Sequence, residues 1–222
     1  MAGVIVTGGF GILGRAVAAE LTSQGHAVAA VDMAPAPADI EVALAVGGID
    51  LGDEAAVASA YKDIASRLGG ISGLVNVAGG FLWETVSGGE VASWDRMYQL
   101  NVRTAFLSSR AALDYLGEGG AIVNVGAAAA LSPASGMAPY TASKLGVHAL
   151  TESLANELRD KGIRVNAVLP TILDTPANRA DMPDADRSGW VLPQAAARVI
   201  AFLLSDESAS ITGAKIPLSL RG

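Results

Sequence analysis

Cysteine is absent from the 222 residues of the chain, and histidine occurs only twice, at His26 and His148. Disulfides, thiol catalysis and cysteine-ligated metals are therefore excluded. Two histidines are also too few for a histidine-rich metal centre, so no metal is predicted.

Charge is scarce as well, since only 17% of the residues are Asp, Glu, Lys or Arg and the net charge is −7. With no basic cluster, neither nucleic acid nor an anionic membrane is an expected partner. No apolar run reaches membrane-spanning length without a glycine or a charge. The N-terminus starts directly in a strand-like run and lacks the charged segment of a signal peptide, so a cytoplasmic location is expected.

Small and apolar residues are abundant: 51% of the chain is hydrophobic and 26 residues are glycine. Continuous apolar runs alternate with helical patterns along the whole length, which is typical of strands buried on both faces of a parallel sheet. The sequence therefore predicts a single α/β domain over residues 1–222, with a Rossmann-like, doubly wound parallel sheet and helices on both faces. Pro170–Leu192 is expected to be a long irregular loop that serves as a substrate lid.

The predicted strands are Val4–Thr7, Ala27–Asp32, Val42–Val46, Leu74–Val77, Ala121–Val125, Arg164–Leu169 and a short strand near Ile216–Leu218. The predicted helices are Arg15–Gln24, Asp53–Leu68, Ser93–Leu116, Tyr140–Lys161 and a last one from Pro193 to Leu204.

A glycine-rich turn follows the first strand and leads into a helix. Its residues, all predicted to contact a dinucleotide, are Gly8, Gly9, Phe10, Gly11, Ile12, Leu13 and Gly14. Such a turn lets the backbone approach a pyrophosphate at the helix N-terminus. Asp32 ends the second strand, where a carboxylate accepts the ribose hydroxyls and repels a 2′-phosphate. No Arg or Lys follows it directly, so NAD(H) is predicted to be preferred over NADP(H), although NADP(H) stays possible.

Tyr140 and Lys144 form a Tyr-x-x-x-Lys pair on one helix face, one turn apart. A free tyrosine has a pKa of about 10, which is high for proton exchange near neutrality. A neighbouring ammonium favours the phenolate, so Lys144 is expected to lower the pKa of Tyr140. Tyr140 is the predicted proton donor, and both residues are expected to contact the cofactor.

Together these motifs resemble the short-chain dehydrogenase/reductase family over nearly the full length. The resemblance implies that Asp50 and Leu51 frame the adenine, that Asn76 and Gly79 line the ribose side, and that Thr175 reaches the carboxamide or the pyrophosphate. It also implies that Asn101 holds a water supporting Lys144. Ala78, Pro170 and Ile172 complete the expected cofactor contacts.

Ala127 stands where this family normally has a serine, thirteen residues before the tyrosine. No hydroxyl is available at that position to polarise a carbonyl. Quinonoid dihydropteridine reductases, a branch of the family, also lack it. The chain resembles that branch further in the segments around Gly79-Gly80, Gly126–Leu131, Leu169–Pro176 and Trp190, whereas Asn101 belongs to the wider family.

Four residues are predicted to face the substrate: Phe81, Trp83, Ala127 and Trp190. A flat ring would stack on the aromatic ones, although they could equally be loop residues that cover the sheet edge. His148 is expected to be a packed or interface residue.

The sequence thus favours hydride transfer to a small conjugated or quinonoid, pterin-like substrate. The alternatives are a carbonyl reductase or alcohol dehydrogenase, and a nucleotide-binding regulator without turnover. A homodimer or homotetramer is expected through the two longest helices, as the resemblance implies.

Overall fold

A seven-stranded parallel sheet forms the centre of the molecule in the computed structural model, which describes residues 3–220. Its strand order is β3-β2-β1-β4-β5-β6-β7. The strands are β1 Gly3–Thr7, β2 Val28–Val31, β3 Leu44–Val46, β4 Ile71–Asn76, β5 Ala121–Val125, β6 Arg164–Pro170 and β7 Lys215–Leu218. This architecture confirms the predicted α/β class with a doubly wound parallel sheet. The four terminal residues of the predicted 1–222 domain lie outside the described range.

Helices cover both faces of this sheet. They are α1 Ile12–Ser23, α2 Glu54–Leu68, α3 Val91–Tyr98, α4 Thr104–Ala112, α5 Ala138–Glu157, α6 Pro176–Asp181 and α7 Pro193–Leu204. Of these seven, α2, α4 and α5 contribute to the apolar core on one face, and α1 and α7 to the core on the other. Successive strand residues alternate between the two cores, as Ile5 does with its neighbours Val4 and Val6. Burial on both faces explains why the strands are mostly apolar, and the amides of the buried exceptions Asn76, Asn124 and Asn166 are hydrogen-bonded. Among residues 3–220, no helix is both long and apolar enough to cross a membrane.

Two segments differ from the sequence-based expectation. The single helix expected over Ser93–Leu116 is divided into α3, a π-helical turn at Gln99–Arg103, and α4, which ends at Ala112. The expected irregular loop after β6 contains the short helix α6, which begins at Pro176. Thr175 caps this helix, because its hydroxyl accepts a hydrogen bond from the Asn178 N–H at 3.2 Å. The role of this segment as a lid stays a prediction.

The strand order reverses between β1 and β4, the two central strands that pair in parallel. Ligands of doubly wound sheets bind at such a switch point, outside the carboxyl ends of the strands. The segments that follow β1, β4, β5 and β6 meet at this edge of the sheet.

Candidate active site

The glycine turn after β1 packs tightly and leaves the start of α1 open. Gly8 has a φ of +61°, and a Cβ on Gly14 would lie 2.1 Å from the Gly8 carbonyl oxygen, so a side chain is excluded there. The N-cap of α1 is Gly11, and no side chain bonds the first N–H groups of the helix. These N–H groups and the positive end of the helix dipole fit a pyrophosphate, as predicted from the sequence.

Asp32 is oriented by backbone groups on two sides. Its Oδ2 accepts a hydrogen bond from the Phe10 N–H, and its Oδ1 accepts one from the Ala34 N–H, each at 3.1 Å. Phe10 thus contributes its backbone N–H, which helps to orient Asp32. Arg15, the nearest cation, donates to the Phe10 carbonyl and pairs with Asp39 at 3.0 Å, and this pairing raises the pKa of the guanidinium.

A cavity of about 1220 Å³ extends from the glycine turn to Tyr140. Most of the predicted site residues line it, namely Gly8, Gly11, Ile12, Leu13, Gly14, Asp32, Asp50, Leu51, Ala78, Gly79, Phe81, Trp83, Tyr140, Lys144, Pro170, Ile172 and Thr175. Six predicted residues are not part of its wall: Gly9, Phe10, Asn76, Asn101, Ala127 and Trp190. The volume and the open helix terminus fit a dinucleotide with room for a small substrate.

Tyr140 and Lys144 both line the cavity from the first two turns of α5. Lys144 is buried and donates from Nζ to the Val125 carbonyl at 2.9 Å. Burial lowers the pKa of Lys144 to about 8 and raises the pKa of Tyr140 to about 12. The expectation that Lys144 lowers the pKa of Tyr140 is therefore not met, because burial of the phenol dominates. Near neutral pH the phenol retains its proton.

Asn101 lies in the π-helical turn, where its side chain connects two segments of the site. Its Oδ1 accepts from the Gly80 N–H at 3.0 Å, and its Nδ2 donates to the Gly80 carbonyl at 3.1 Å and to Ser143 Oγ at 2.9 Å. Ser143 in turn donates to the Tyr140 carbonyl at 2.7 Å. Asn101 is thus placed to position the segment after β4 against α5, and its expected water stays a prediction. π-Turns of this kind are frequent at functional sites.

Asn76 does not reach the cavity, which corrects its expected contact with the cofactor ribose. Its Nδ2 donates to Ser109 Oγ at 3.0 Å and to Asn124 Oδ1 at 2.8 Å, inside the sheet-helix interface. The segment that follows β4 is held in place by Thr7, whose hydroxyl accepts hydrogen bonds from the N–H groups of Val77 and Ala78. The alternation of side chains along a strand directs Asn76 inward.

Trp190 and Ala127 are the other predicted contacts that the structure does not bring to the cavity wall. Trp190 is 3% exposed, and the Arg187 guanidinium lies 5.6 Å from its ring centroid. Ala127 is 2% exposed, and its N–H lies 3.4 Å from Nε2 of His148, which is buried as expected for a packed residue. Gly126 and Ala128, on either side of Ala127, do line the cavity.

Phe81 and Trp83 form an exposed aromatic rim, with 58% and 61% of each residue accessible. The Phe81 ring meets the Tyr140 ring edge to face at 4.9 Å between centroids. Trp83 packs on Gly136, where a Cβ would lie 2.1 Å from the indole, and the Glu84 N–H donates to the Gly136 carbonyl at 2.7 Å. Both residues line the cavity, and their contact with a substrate stays a prediction.

Several cavity residues were not predicted as site residues from the sequence. They are mostly apolar, and include Met33, Ile49, Leu100, Met137, Asn178 and Met182. Only the meeting of several loops at one edge of the sheet identifies them. Across residues 3–220, no group of three or more His, Asp or Glu side chains is arranged to hold a metal.

Comparison with known proteins agrees with this geometry. A family model described as short chain dehydrogenase matches residues 2–186. The chain belongs to this family. It is 32% identical to 2-(S)-hydroxypropyl-CoM dehydrogenase 3 of Xanthobacter autotrophicus over 95% of this chain and 92% of that protein. It is 31% identical to the acetoacetyl-CoA reductase of Allochromatium vinosum, covering 97% and 96%.

A solved short chain dehydrogenase from Burkholderia cenocepacia, in complex with NADP, superposes with a TM-score of 0.87 and 32% identity over 98% of this chain and 96% of that one. From its family and its relatives, the present protein is accordingly an NAD(P)-dependent oxidoreductase. The names of these relatives do not point to the pteridine branch.

Proposed function

We propose that the protein transfers a hydride from a nicotinamide cofactor, preferably NADH, to a small conjugated or quinonoid, pterin-like substrate, with Tyr140 as the proton donor. The observation that carries the proposal is the position of Tyr140. Its half-buried phenol has a pKa of about 12 and lies against Phe81 at the aromatic rim of the cavity. A flat ring that stacks on this rim would come within reach of a protonated donor.

The chain's residues fit the cofactor along the length of the cavity. When bound, the cofactor supplies the hydride. The open N–H groups of α1 would bind the pyrophosphate, and the oriented carboxylate of Asp32 would accept the adenosine ribose hydroxyls. Asp50, Leu51 and Thr175 also line the cavity; the first two would frame the adenine, and Thr175 would reach the carboxamide or the pyrophosphate. Lys144 would bind the nicotinamide ribose.

The proton follows the hydride in a balanced two-electron reduction. Tyr140 donates its proton to the substrate atom that gains the electron pair, and the phenolate then regains a proton from solvent. Lys144 stabilises the transient phenolate to the extent that it is itself protonated. Its contact with the Val125 carbonyl fixes the amine beside the site.

Ala127 favours the conjugated substrate over a simple ketone. The neighbouring Ala128 and Ala129 also lack a hydroxyl, so this part of the wall offers no side chain to polarise a carbonyl. A preorganised donor of this kind is worth about 2.7–4 kcal/mol in the transition state of a reaction that needs it. A ring that accepts hydride by conjugation needs no such donor at this position.

The second candidate is a carbonyl reductase or alcohol dehydrogenase, which the names of the two relatives favour. Ala127→Ser distinguishes the two functions. For the conjugated substrate, the added hydroxyl should leave kcat/KM within a few-fold. A more than tenfold rise on ketones, with no turnover of quinonoid dihydropterin or quinones in either form, would establish the second candidate instead.

Tyr140→Phe tests the proton donor directly, since it removes the hydroxyl with little change of volume. With NADH and a panel of quinonoid dihydropterin, quinones and ketones, kcat is expected to fall about 10²–10⁴-fold. NADH binding, followed by fluorescence titration, should persist because the cofactor cradle is intact. Activity within a few-fold of wild type on its best substrate would show that the proton comes from another group.

A further inference from the structure

The cavity has two halves, which are formed by the segments that follow different strands of the sheet. The turns after β1, β2 and β3 supply the dinucleotide half, with Asp32 and Asp50. The segments after β4, β5 and β6 supply the other half, which we call the substrate half. Its wall residues that are not predicted cofactor contacts are mostly apolar and include Phe81, Trp83, Leu100, Ala128, Ala129, Met137 and Met182. The polar ones include Thr104, Thr171, Asn178 and Asp181.

Among residues 3–220, Lys144 is the one cationic side chain in the wall of the substrate half. Within residues 3–220, the charged residues of the whole cavity wall are Asp32, Asp50, Asp181 and Lys144. Lys144 is buried and already donates to the Val125 carbonyl. In the described part of the chain, residues 3–220, the wall therefore offers no further cationic side chain to pair with a sulfonate, phosphate or carboxylate on a substrate.

Two arginines lie close to the cavity residue Asp181 in the sequence, but each binds another group. Arg179 binds Asp174 through Nη2 at 2.9 Å and through Nε. Arg187 donates to the Pro183 carbonyl at 3.0 Å and lies over the Trp190 ring. Neither arginine lines the cavity.

Asp181 is the one charged side chain that the segment after β6 adds to the wall. It is exposed, and in the described part of the chain its side chain has no ion pair or hydrogen bond. It is also the last residue of α6, the end at which a helix dipole disfavours a carboxylate. The exposed carboxylate lines the cavity and would repel an anionic ligand that enters it.

We infer that the substrate half selects uncharged, ring-shaped substrates against anionic ones, and that Asp181 is a specificity-determining residue for this choice. The inference rests on the proposed function, since it concerns the substrate of the same site. Trp83 and Phe81 supply the stacking surface, and Asp181 supplies the charge discrimination. At a partly solvated cavity mouth, two like charges several ångströms apart change affinity by about 3- to 30-fold.

The test uses a matched pair of substrates, 1,2-naphthoquinone and 1,2-naphthoquinone-4-sulfonate, with saturating NADH. For Asp181→Asn, the sulfonate-to-neutral ratio of kcat/KM is expected to rise about 3- to 30-fold over that of wild type, and Asp181→Lys should raise it further. The rise should shrink at 0.5 M salt, because screening weakens the repulsion. Asp184→Asn removes an equal charge from an exposed residue outside the cavity wall and should leave the ratio unchanged.

An unchanged ratio in Asp181→Asn and Asp181→Lys, or an equal change in Asp184→Asn, would overturn the inference. If no variant reduces either quinone, quinone reduction as proposed fails, and the inference is decided by binding. Calorimetric titration of NAD-loaded protein with 2-naphthol and with 2-naphthalenesulfonate should then give the same ordering of variants. Equal binding of both ligands, unaffected at Asp181, would reject charge selection.

Discussion

The carboxylate of Asp32 is oriented before any ligand arrives, since the N–H groups of Phe10 and Ala34 each bind one of its oxygens. A 2′-phosphate would face this fixed negative charge, and Arg15, which donates to the Phe10 carbonyl, is paired with Asp39. We expect kcat/KM for NADH to exceed that for NADPH by about 5- to 150-fold, equivalent to ~1–3 kcal/mol.

Asp32→Ala should reduce the gap between kcat/KM for NADH and kcat/KM for NADPH, as measured by steady-state kinetics with both cofactors. Glu41→Gln, which removes an exposed charge outside the cavity wall, serves as the control and should leave the gap in place. Equal or better use of NADPH by the wild-type protein would contradict the prediction.

Lys144 makes stability depend on pH. Burial lowers its pKa from 10.5 to about 8, so between these values the unfolded chain still binds a proton that the folded protein has released. Stability must then rise with pH across this window, by about 2 kcal/mol between pH 7.5 and 10. Above pH 10 the raised pKa of Tyr140 acts in the opposite direction, because the folded protein retains that proton longer.

Urea denaturation at several pH values measures the effect. The rise between pH 7.5 and 10 should be present in wild type and missing in Lys144→Met, so the difference between the two isolates this one group. Parallel curves for the two proteins would show that Lys144 keeps its ordinary pKa in the folded state.

The motif residues of the site were predictable from sequence, whereas their surroundings were not. The glycine turn, Asp32, Tyr140 and Lys144 have residue types whose chemistry and spacing indicate their use. The inward direction of Asn76 and the burial of Trp190 depend on which partner each meets across the fold. The raised pKa of Tyr140 likewise depends on burial, which no local pattern reports.

At the scale of elements, the π-turn at Gln99–Arg103 shows where sequence periodicity fails. A helical pattern over Ser93–Leu116 predicts one continuous helix, and the extra residue of a π-turn leaves that pattern nearly intact. The turn places Asn101 toward Gly80 and Ser143, so the interruption serves the site.

The C-terminus of α7 is held by a side chain from the neighbouring strand β6. The buried guanidinium of Arg164 donates to the carbonyls of Leu203, Leu204 and Ser205 and to the Ser208 hydroxyl. These bonds satisfy carbonyls that a helix end leaves without partners.

Arg164→Met keeps much of the volume but removes the guanidinium from the Leu204 carbonyl, whereas the Leu203 and Ser205 carbonyls still accept hydrogen bonds from Ser208. We expect it to lower the free energy of unfolding by about 2–4 kcal/mol in urea denaturation. Arg67→Met is the matched control, because Arg67 forms only an exposed i,i+4 pair with Asp63 and should cost less than ~0.5 kcal/mol. A loss of similar size in both variants would show that the cap contributes little.

At the scale of the whole molecule, the sequence predicted the fold class because alternation of apolar strands with helices admits few arrangements. Strand boundaries were less accurate: β3 begins at Leu44 and β4 at Ile71, where the prediction had Val42 and Leu74. Pairing with neighbouring strands, rather than apolar character, determines where a strand starts. Strand β4, for example, begins at Ile71, which pairs with Gly3 of β1.

The outer face of α4 and α5 carries two exposed apolar side chains, Phe106 at 44% and Leu145 at 45% accessibility. A Cβ on Gly146 of α5 would lie 2.8 Å from the Val102 side chain, so α5 packs closely against the π-helical turn that precedes α4. We propose that the outer face of α4 and α5 associates with the same face of a second copy, which fits the expected homodimer or homotetramer.

Light scattering coupled to size exclusion should therefore give a mass of two or four times the 22.4 kDa chain. Phe106→Glu places a charge at the centre of the contact and is expected to shift the mass toward a single chain, because an unpaired carboxylate opposes burial of the face. Val86→Glu adds the same charge to an exposed loop residue and should leave the mass unchanged. A wild-type mass of one chain, or a shift produced equally by both variants, would rule out this face as the interface.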